Sequence, residues 1–333
     1  MPFELVPPGT KFDFIGKWKI CAAISAVAIA IGLVGLWKPG ARLGVDFAGG
    51  SEMQVRFTDE AAVDQTAIRD VMESFGLPGE GVVRFGETND FLLKFPGERH
   101  LEVEPAPGAA PGAPARGEIT AETDVILKLQ DALREQIGPM EVERVEFVGP
   151  KVGEDLRSDG LKAIGISCIL LMIYIAFRFT PRFAPGAVVA LIHDVAVTSA
   201  VWIVFQLEFD LRVLAALLAV LGYSLNDTIV VYDRIRENLA LHTKSDLADV
   251  LNRSVNETLS RTLLTGVTSL VAVLALLLFG GEVVRPFALA MLIGIVVGTY
   301  SSVYIASPTL LLLERWRGTA ATRAAGRARA AKA

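Results

Sequence analysis

The 333-residue sequence has only two cysteines. Cys21 and Cys168 both lie inside apolar runs, which reads as small lipid- or helix-facing residues rather than a disulfide and leaves the redox compartment open. The formal net charge is modest, at −5, and the two signs are segregated along the chain, so nothing argues for a nucleic-acid partner. The glycine-rich stretch Gly44–Gly50 lacks the Lys-Ser/Thr pair and the following helix of a phosphate loop. No small-residue cleavage pattern follows the apolar run 20–36, and Trp18 and Trp37 bracket it, so it reads as a retained span with interfacial aromatics rather than a cleaved signal peptide. No metal site and no organic cofactor are expected.

What the chain does have is apolar length. Hydrophobic residues make up 52% of it, and the mean hydropathy is +0.46, both high for a globular protein in water. Six spans can be drawn, at about 18–37, 161–178, 184–206, 211–232, 262–280 and 287–313, each long enough to cross a bilayer. Basic residues then orient them. Lys11, Lys17 and Lys19 precede the first span, Arg178 and Arg182 lie between the second and third, and Arg234, Arg236, Lys244 and Arg253 between the fourth and fifth. Arg315, Arg317, Arg323, Arg327, Arg329 and Lys332 follow the last, whereas the opposite turns carry Glu208, Asp210 and Glu282. Both termini are thereby expected in the cytoplasm, giving a cytoplasmic N-terminus 1–17, a first helix 18–37, an external domain 38–160, a five-helix membrane domain 161–313 and a basic cytoplasmic tail 314–333.

The external segment alternates its periods. Ser51–Thr58 reads as a strand, Glu60–Phe75 as an amphipathic helix, and Gly81–Phe85 and Asp90–Phe95 as a strand pair. Ile119–Ile137 follows as a helix and Glu141–Phe147 as a last strand. The order strand-helix-strand-strand-helix-strand predicts a small α+β sandwich of the ferredoxin type. The Pro/Ala/Gly-rich piece Glu104–Gly117 is expected to be a flexible insertion, and Gly44, Asp46, Gly49 and Gly50 a structural joint between membrane and domain.

Candidate functional residues are ionisable groups within the spans. Asp227 lies six residues before Asp233, about 9 Å along a helix, which is too deep for a short side chain to reach the headgroups. A carboxylate there costs roughly 2.5–3.5 kcal/mol on insertion scales, so it persists where it meets a partner or a wet cavity. Beside Asn226 and one turn from Ser224, it fits either a proton carrier, since low dielectric favours the protonated form, or a hydrogen-bonding clamp between helices. His193-Asp194, near mid-span in the third span, fits either a proton relay or a polar contact between the third and fourth spans. Adjacent positions lie about 100° apart on a helix, so the two are expected to face different neighbours. Arg261 opens the fifth span and fits either an anchor to headgroups or an ion-pair partner of Asp227. Asp233, Arg234 and Arg236 form a charged helix end, solvated or in contact with a cytoplasmic partner. Gly294 and Gly298 mark close packing in the last span.

These stretches resemble the SecD/SecF family of protein-export membrane proteins: GVDFAGG at 44–50, FVGPKVGEDL at 147–156, HDV at 193–195, GYSLNDTIVVYDRIREN at 222–238, TLSRTLLT at 258–265 and FGGEVVRPFALAMLIGIVVGTYSS at 279–302. The resemblance implies half of an RND-like transporter, completed to twelve spans by a SecD companion, in a bacterial inner membrane. It implies use of the proton-motive force in late preprotein export, beside the SecYEG translocon with SecA, with YajC, YidC, unfolded preprotein and membrane lipid as further partners. By the same resemblance Asp227 and Arg261 serve proton movement, with His193, Asp194 and Asn226 as further candidates, and the chain is not an enzyme. Three rivals remain at this level. A small-molecule proton antiporter would need two external domains and twelve spans. An intramembrane aspartyl protease, suggested by Asp194 and Asp227 on consecutive spans, would need a G-x-G-D setting, whereas Asp227 follows Leu225-Asn226. A passive scaffold for SecD would not need buried ionisable residues.

Overall fold

The computed structural model describes residues 10–58, 63–84, 89–96, 116–179 and 181–316. The greater part of the expected insertion 104–117 and the basic tail beyond Trp316 lie outside the described residues.

Six helices are long and apolar enough to cross a membrane. They are α1 (Trp18–Trp37), α5 (Pro150–Arg178), α6 (Ala184–Val204), α7 (Leu211–Leu241), α8 (Leu247–Phe279) and α9 (Gly281–Ser301). The helical path of the last continues through a π-helical turn, Ser302–Ala306, to Trp316. All six expected spans are present, but α5, α7 and α8 overrun the drawn boundaries with polar helix. α5 begins as Pro150-Lys151-Val152-Gly153-Glu154, with proline in its first turn, where its missing N–H costs nothing. The external domain therefore hands directly into the second span without a hinge.

Burial is uneven. α6, α7 and α9 are half buried, whereas α1, α5 and α8 leave most of their apolar surface outside. Small residues let the inner helices approach: an added Cβ at Gly294 would overlap the Val220 side chain, and one at Gly298 would lie 2.9 Å from the Ser224 Cβ. The bundle core around Phe183, Leu191, Tyr232 and Leu310 is apolar and sits toward the charged end of α7.

The external domain has the expected order. Strands β1 (Gly50–Phe57), β2 (Val82–Arg84), β3 (Asp90–Pro96) and β4 (Met140–Val148) form one antiparallel sheet, in the order β2-β3-β1-β4. Helices α3 (Gln65–Ser74) and α4 (Arg116–Gln136) connect them. Alternation along β1 sends Met53, Val55 and Phe57 into a core with Ile68, Met72, Leu129 and Leu133. The opposite face, with Glu52, Gln54 and Leu92, turns toward the α6–α7 turn and the start of α9, where Lys94 Nζ meets Glu208 Oε2 at 2.8 Å.

Candidate functional site

Gly44–Gly50 forms a knot where four pieces of chain meet. Val45–Ala48 makes one short helical turn, α2, and Gly49 and Gly50 follow with φ of 80° and 140°. Those values favour glycine. At Gly49 there is also no room for a side chain, since a Cβ would lie 2.8 Å from the Pro150 Cα. Asp46 Oδ2 accepts the Leu211 N–H at 2.9 Å at the start of α7, and the Gly44 N–H donates to the Phe209 carbonyl at 2.7 Å. The motif thus links the end of α1, the start of β1, the start of α5 and the start of α7.

Within the bundle, two carboxylates flank the packed pair α7 and α9. On the α8 side, Asp227 is 3% exposed and accepts a long hydrogen bond, 3.4 Å, from Thr299 Oγ1 of α9. Arg261 lies on α8, which packs beside α7. Among the described residues no ion pair within 4.0 Å joins Arg261 to Asp227, and the Arg261 side chain stands on the exposed face of α8. Beside it the buried Thr262 hydroxyl has no hydrogen-bond partner among the described residues. Asn226 is exposed on the outer surface of α7.

On the α6 side, Asp194 is wholly buried. Its Oδ2 accepts from Ser301 Oγ at 2.8 Å and from Ser224 Oγ of α7, and its Oδ1 shares a hydrogen bond with His193 Nδ1 at 2.9 Å. His193 Nε2 lies 2.9 Å from Ser25 Oγ of α1, which in turn meets the Tyr300 hydroxyl at 3.1 Å. Tyr300 donates on to the Cys21 carbonyl at 2.7 Å. His193 and Asp194 thus meet different neighbours, as their separation of about 100° on a helix predicts, Ser25 of α1 for the imidazole and Ser224 of α7 and Ser301 of α9 for the carboxylate. The imidazole folds back onto the adjacent carboxylate while its far nitrogen reaches α1. Ser224, one turn from Asp227 in the sequence, bonds Asp194 instead. The sequence marks neither Ser25 nor Tyr300 as functional; its one signal is the Ser25 hydroxyl within an apolar first span.

The charged end of α7 clasps α8. Arg234 meets Glu237 at 2.6 Å and Glu257 at 2.6 Å, Arg236 meets Asp233 at 2.9 Å, and Asn238 Nδ2 donates to Glu257 at 2.7 Å. Among the described residues, no three His, Cys, Asp or Glu side chains converge to hold a metal. The bundle holds two buried carboxylates and one buried imidazole, with the Arg261 guanidinium on the exposed face of α8.

Fold and site define a polytopic helical membrane protein with six spans, one external α+β domain and ionisable groups between its inner helices. Family models carry this further. "Protein export membrane protein SecD/SecF, C-terminal" matches residues 128–316, and the SecD/SecF GG motif matches residues 34–61. The chain is 39% identical to protein translocase subunit SecF of Calditerrivibrio nitroreducens, covering 94% of this chain and 98% of that one. It is 43% identical to the same subunit of Magnetococcus marinus over 92% and 93%. The chain belongs to the SecD/SecF family. Among solved structures it resembles SecDF, a translocon-associated membrane protein from Thermus thermophilus, with a TM-score of 0.74 and 34% identity over 95% of this chain. SecDF in a super-membrane-facing form gives a TM-score of 0.67 at 32% identity over 98%. The chain spans 40% and 41% of those two SecDF chains.

Proposed function

We propose that this chain is the SecF-type subunit of the protein-export machinery, working with a SecD companion to couple the proton-motive force to late preprotein movement across a bacterial inner membrane. Similarity over nearly the full length of SecF subunits supports the role. The share of SecDF left unmatched, more than half its length, is where a companion half-bundle would belong. SecYEG with SecA, and YajC, YidC and unfolded preprotein, are the further partners of this reading. Both termini face the cytoplasm and the chain is not an enzyme.

The observation that carries the proposal is Asp227: a carboxylate at 3% exposure between spans, held by one long hydrogen bond, with Arg261 on the neighbouring helix α8. Protonation removes its charge and with it the attraction for the guanidinium, so α7 and α8 gain a second arrangement. Deprotonation restores the first. Each proton crossing the membrane releases about 2.3 kcal/mol per 100 mV, enough to bias a two-state equilibrium about fiftyfold. The α5 helix and the Gly44–Gly50 knot connect that change to the external domain without a flexible joint. Cells carrying Asp227→Asn test the reading: the variant should insert and copurify with SecD yet release preprotein poorly. Normal release refutes the carrier role and leaves a scaffold; solute-stimulated proton flux would instead support a small-molecule antiporter.

A further inference from the structure

At the end of the bundle where α5 turns into α6, three guanidinium groups gather around two phenylalanines. The Arg178 and Arg236 guanidinium carbons lie 5.5 and 5.6 Å from the Phe179 ring centroid, and that of Arg182 lies 5.0 Å from the Phe183 centroid. The two rings are 6.3 Å apart, so the three cations share one small patch. Phe179 and Phe183 are themselves buried in the bundle core, which fixes the platform.

Charge in this patch is unbalanced. Arg236 has Asp233 at 2.9 Å, but among the described residues no carboxylate pairs with Arg178 or Arg182. The Arg182 Nε is buried and has no hydrogen-bond partner among the described residues. A buried, unsatisfied guanidinium N–H is costly unless something outside the chain receives it.

The adjoining surface selects among anions. Leu170, Ile173, Tyr174 and Phe177 stand exposed on one side of α5, and Phe177, at 88%, is the residue just before Arg178. Spacings of three and four make them one stripe leading from the arginines along the span. A free phosphate would use the cations alone. A phospholipid would use both, its phosphate on the guanidinium fork and its acyl chains along the stripe. We infer that Arg178, Arg182 and Arg236, on the Phe179–Phe183 platform, form a headgroup site for an anionic phospholipid such as phosphatidylglycerol. The orientation proposed above says only which leaflet supplies that lipid; binding to the purified chain does not depend on it, whereas labelling of an introduced terminal cysteine tests orientation separately.

Native mass spectrometry of the purified full chain, titrated with phosphatidylglycerol or phosphatidylcholine, tests the site. The native chain should bind at least one phosphatidylglycerol ten times more tightly than phosphatidylcholine. The pair Arg178→Gln and Arg182→Gln should abolish that preference, and the exposed Arg178→Gln alone, which leaves the platform intact, should reduce it. Arg285→Gln, at the far end of the bundle, should leave it unchanged. Preference that survives the paired substitution overturns the assignment. So does displacement of phosphatidylglycerol by equimolar inorganic phosphate, which would mark a simple anion site.

Discussion

Ser301 of α9 donates its hydroxyl to the buried Asp194 carboxylate at 2.8 Å, two residues beyond Thr299, which donates to Asp227 at 3.4 Å. One stretch of one helix thus serves both intramembrane carboxylates, on opposite sides of its packed interface with α7. The better-satisfied carboxylate is Asp194, with Ser224, Ser301 and His193 around it. Asp227 has a single long bond, and a loosely held group is the one suited to change partners.

This contrast makes a first prediction about stability. Ser301→Ala removes one donor from a buried carboxylate and should lower stability by about 1 kcal/mol, the scale of hydrogen bonds between membrane helices. Thr299→Val, at the weaker bond, should cost less. Thermal melting of the purified variants in one detergent ranks the two.

A second prediction concerns the α7–α9 contact. Gly294→Ala places a methyl group into the Val220 side chain and should destabilise by about 1–3 kcal/mol, the usual cost of overpacking. Trimming the obstacle with Val220→Ala should recover much of the loss. The coupling of the two substitutions in a double-mutant cycle measures this; simple additivity would show that the helices do not meet there.

The outer domain supplies a pH prediction. Burial pushes the Glu52 carboxyl above its ordinary 4.5, against the lowering influence of Lys94 and Arg212. A raised native value means the folded state holds its proton to higher pH than the unfolded chain does, so stability falls as pH rises from 4.5 through the raised native value. Glu52→Gln should therefore stabilise the protein above that window and lose its advantage below pH 4.5. Melting temperatures of both proteins at acidic and mildly alkaline pH decide it, and a gain independent of pH would contradict the assignment.

Docking of that domain is a fourth case. Glu208 pairs with Lys94 at 2.8 Å and with Arg42 at 3.5 Å, tying β3 to the turn between α6 and α7. Glu208→Gln should loosen the domain on its membrane base. Faster amide hydrogen exchange along Asp90–Pro96, with the Ile68–Leu133 core unchanged, is the expected signature; unaltered exchange along β3 would mean that the pair holds nothing.

Much of this was legible in the chain itself, for physical reasons. A span needs a long apolar run and a half-buried strand needs alternation, and both are local patterns; hence all six spans and the strand-helix order could be read from residue types. Asp227 stood out because a carboxylate in such a run is costly. The network Ser25–His193–Asp194–Ser301 could not be assembled the same way, because its members come from different helices and only packing brings them together. Serine in a span reads as merely small until its neighbour is known. The polar beginnings of α5 and α8 were also hidden, since Lys151–Asp159 and Asp249–Glu257 lack the apolar run by which spans were found and owe their helix to continuity with it.

Asp227 is proposed to load and release the proton that drives export. Vesicles reconstituted with SecD and either the native chain or Asp227→Asn, given the same proton gradient and the same preprotein, test it most directly. Proton uptake and preprotein movement are expected together with the native chain, and neither with the variant, while both complexes stay intact. Equal proton uptake and equal export by the two would contradict it.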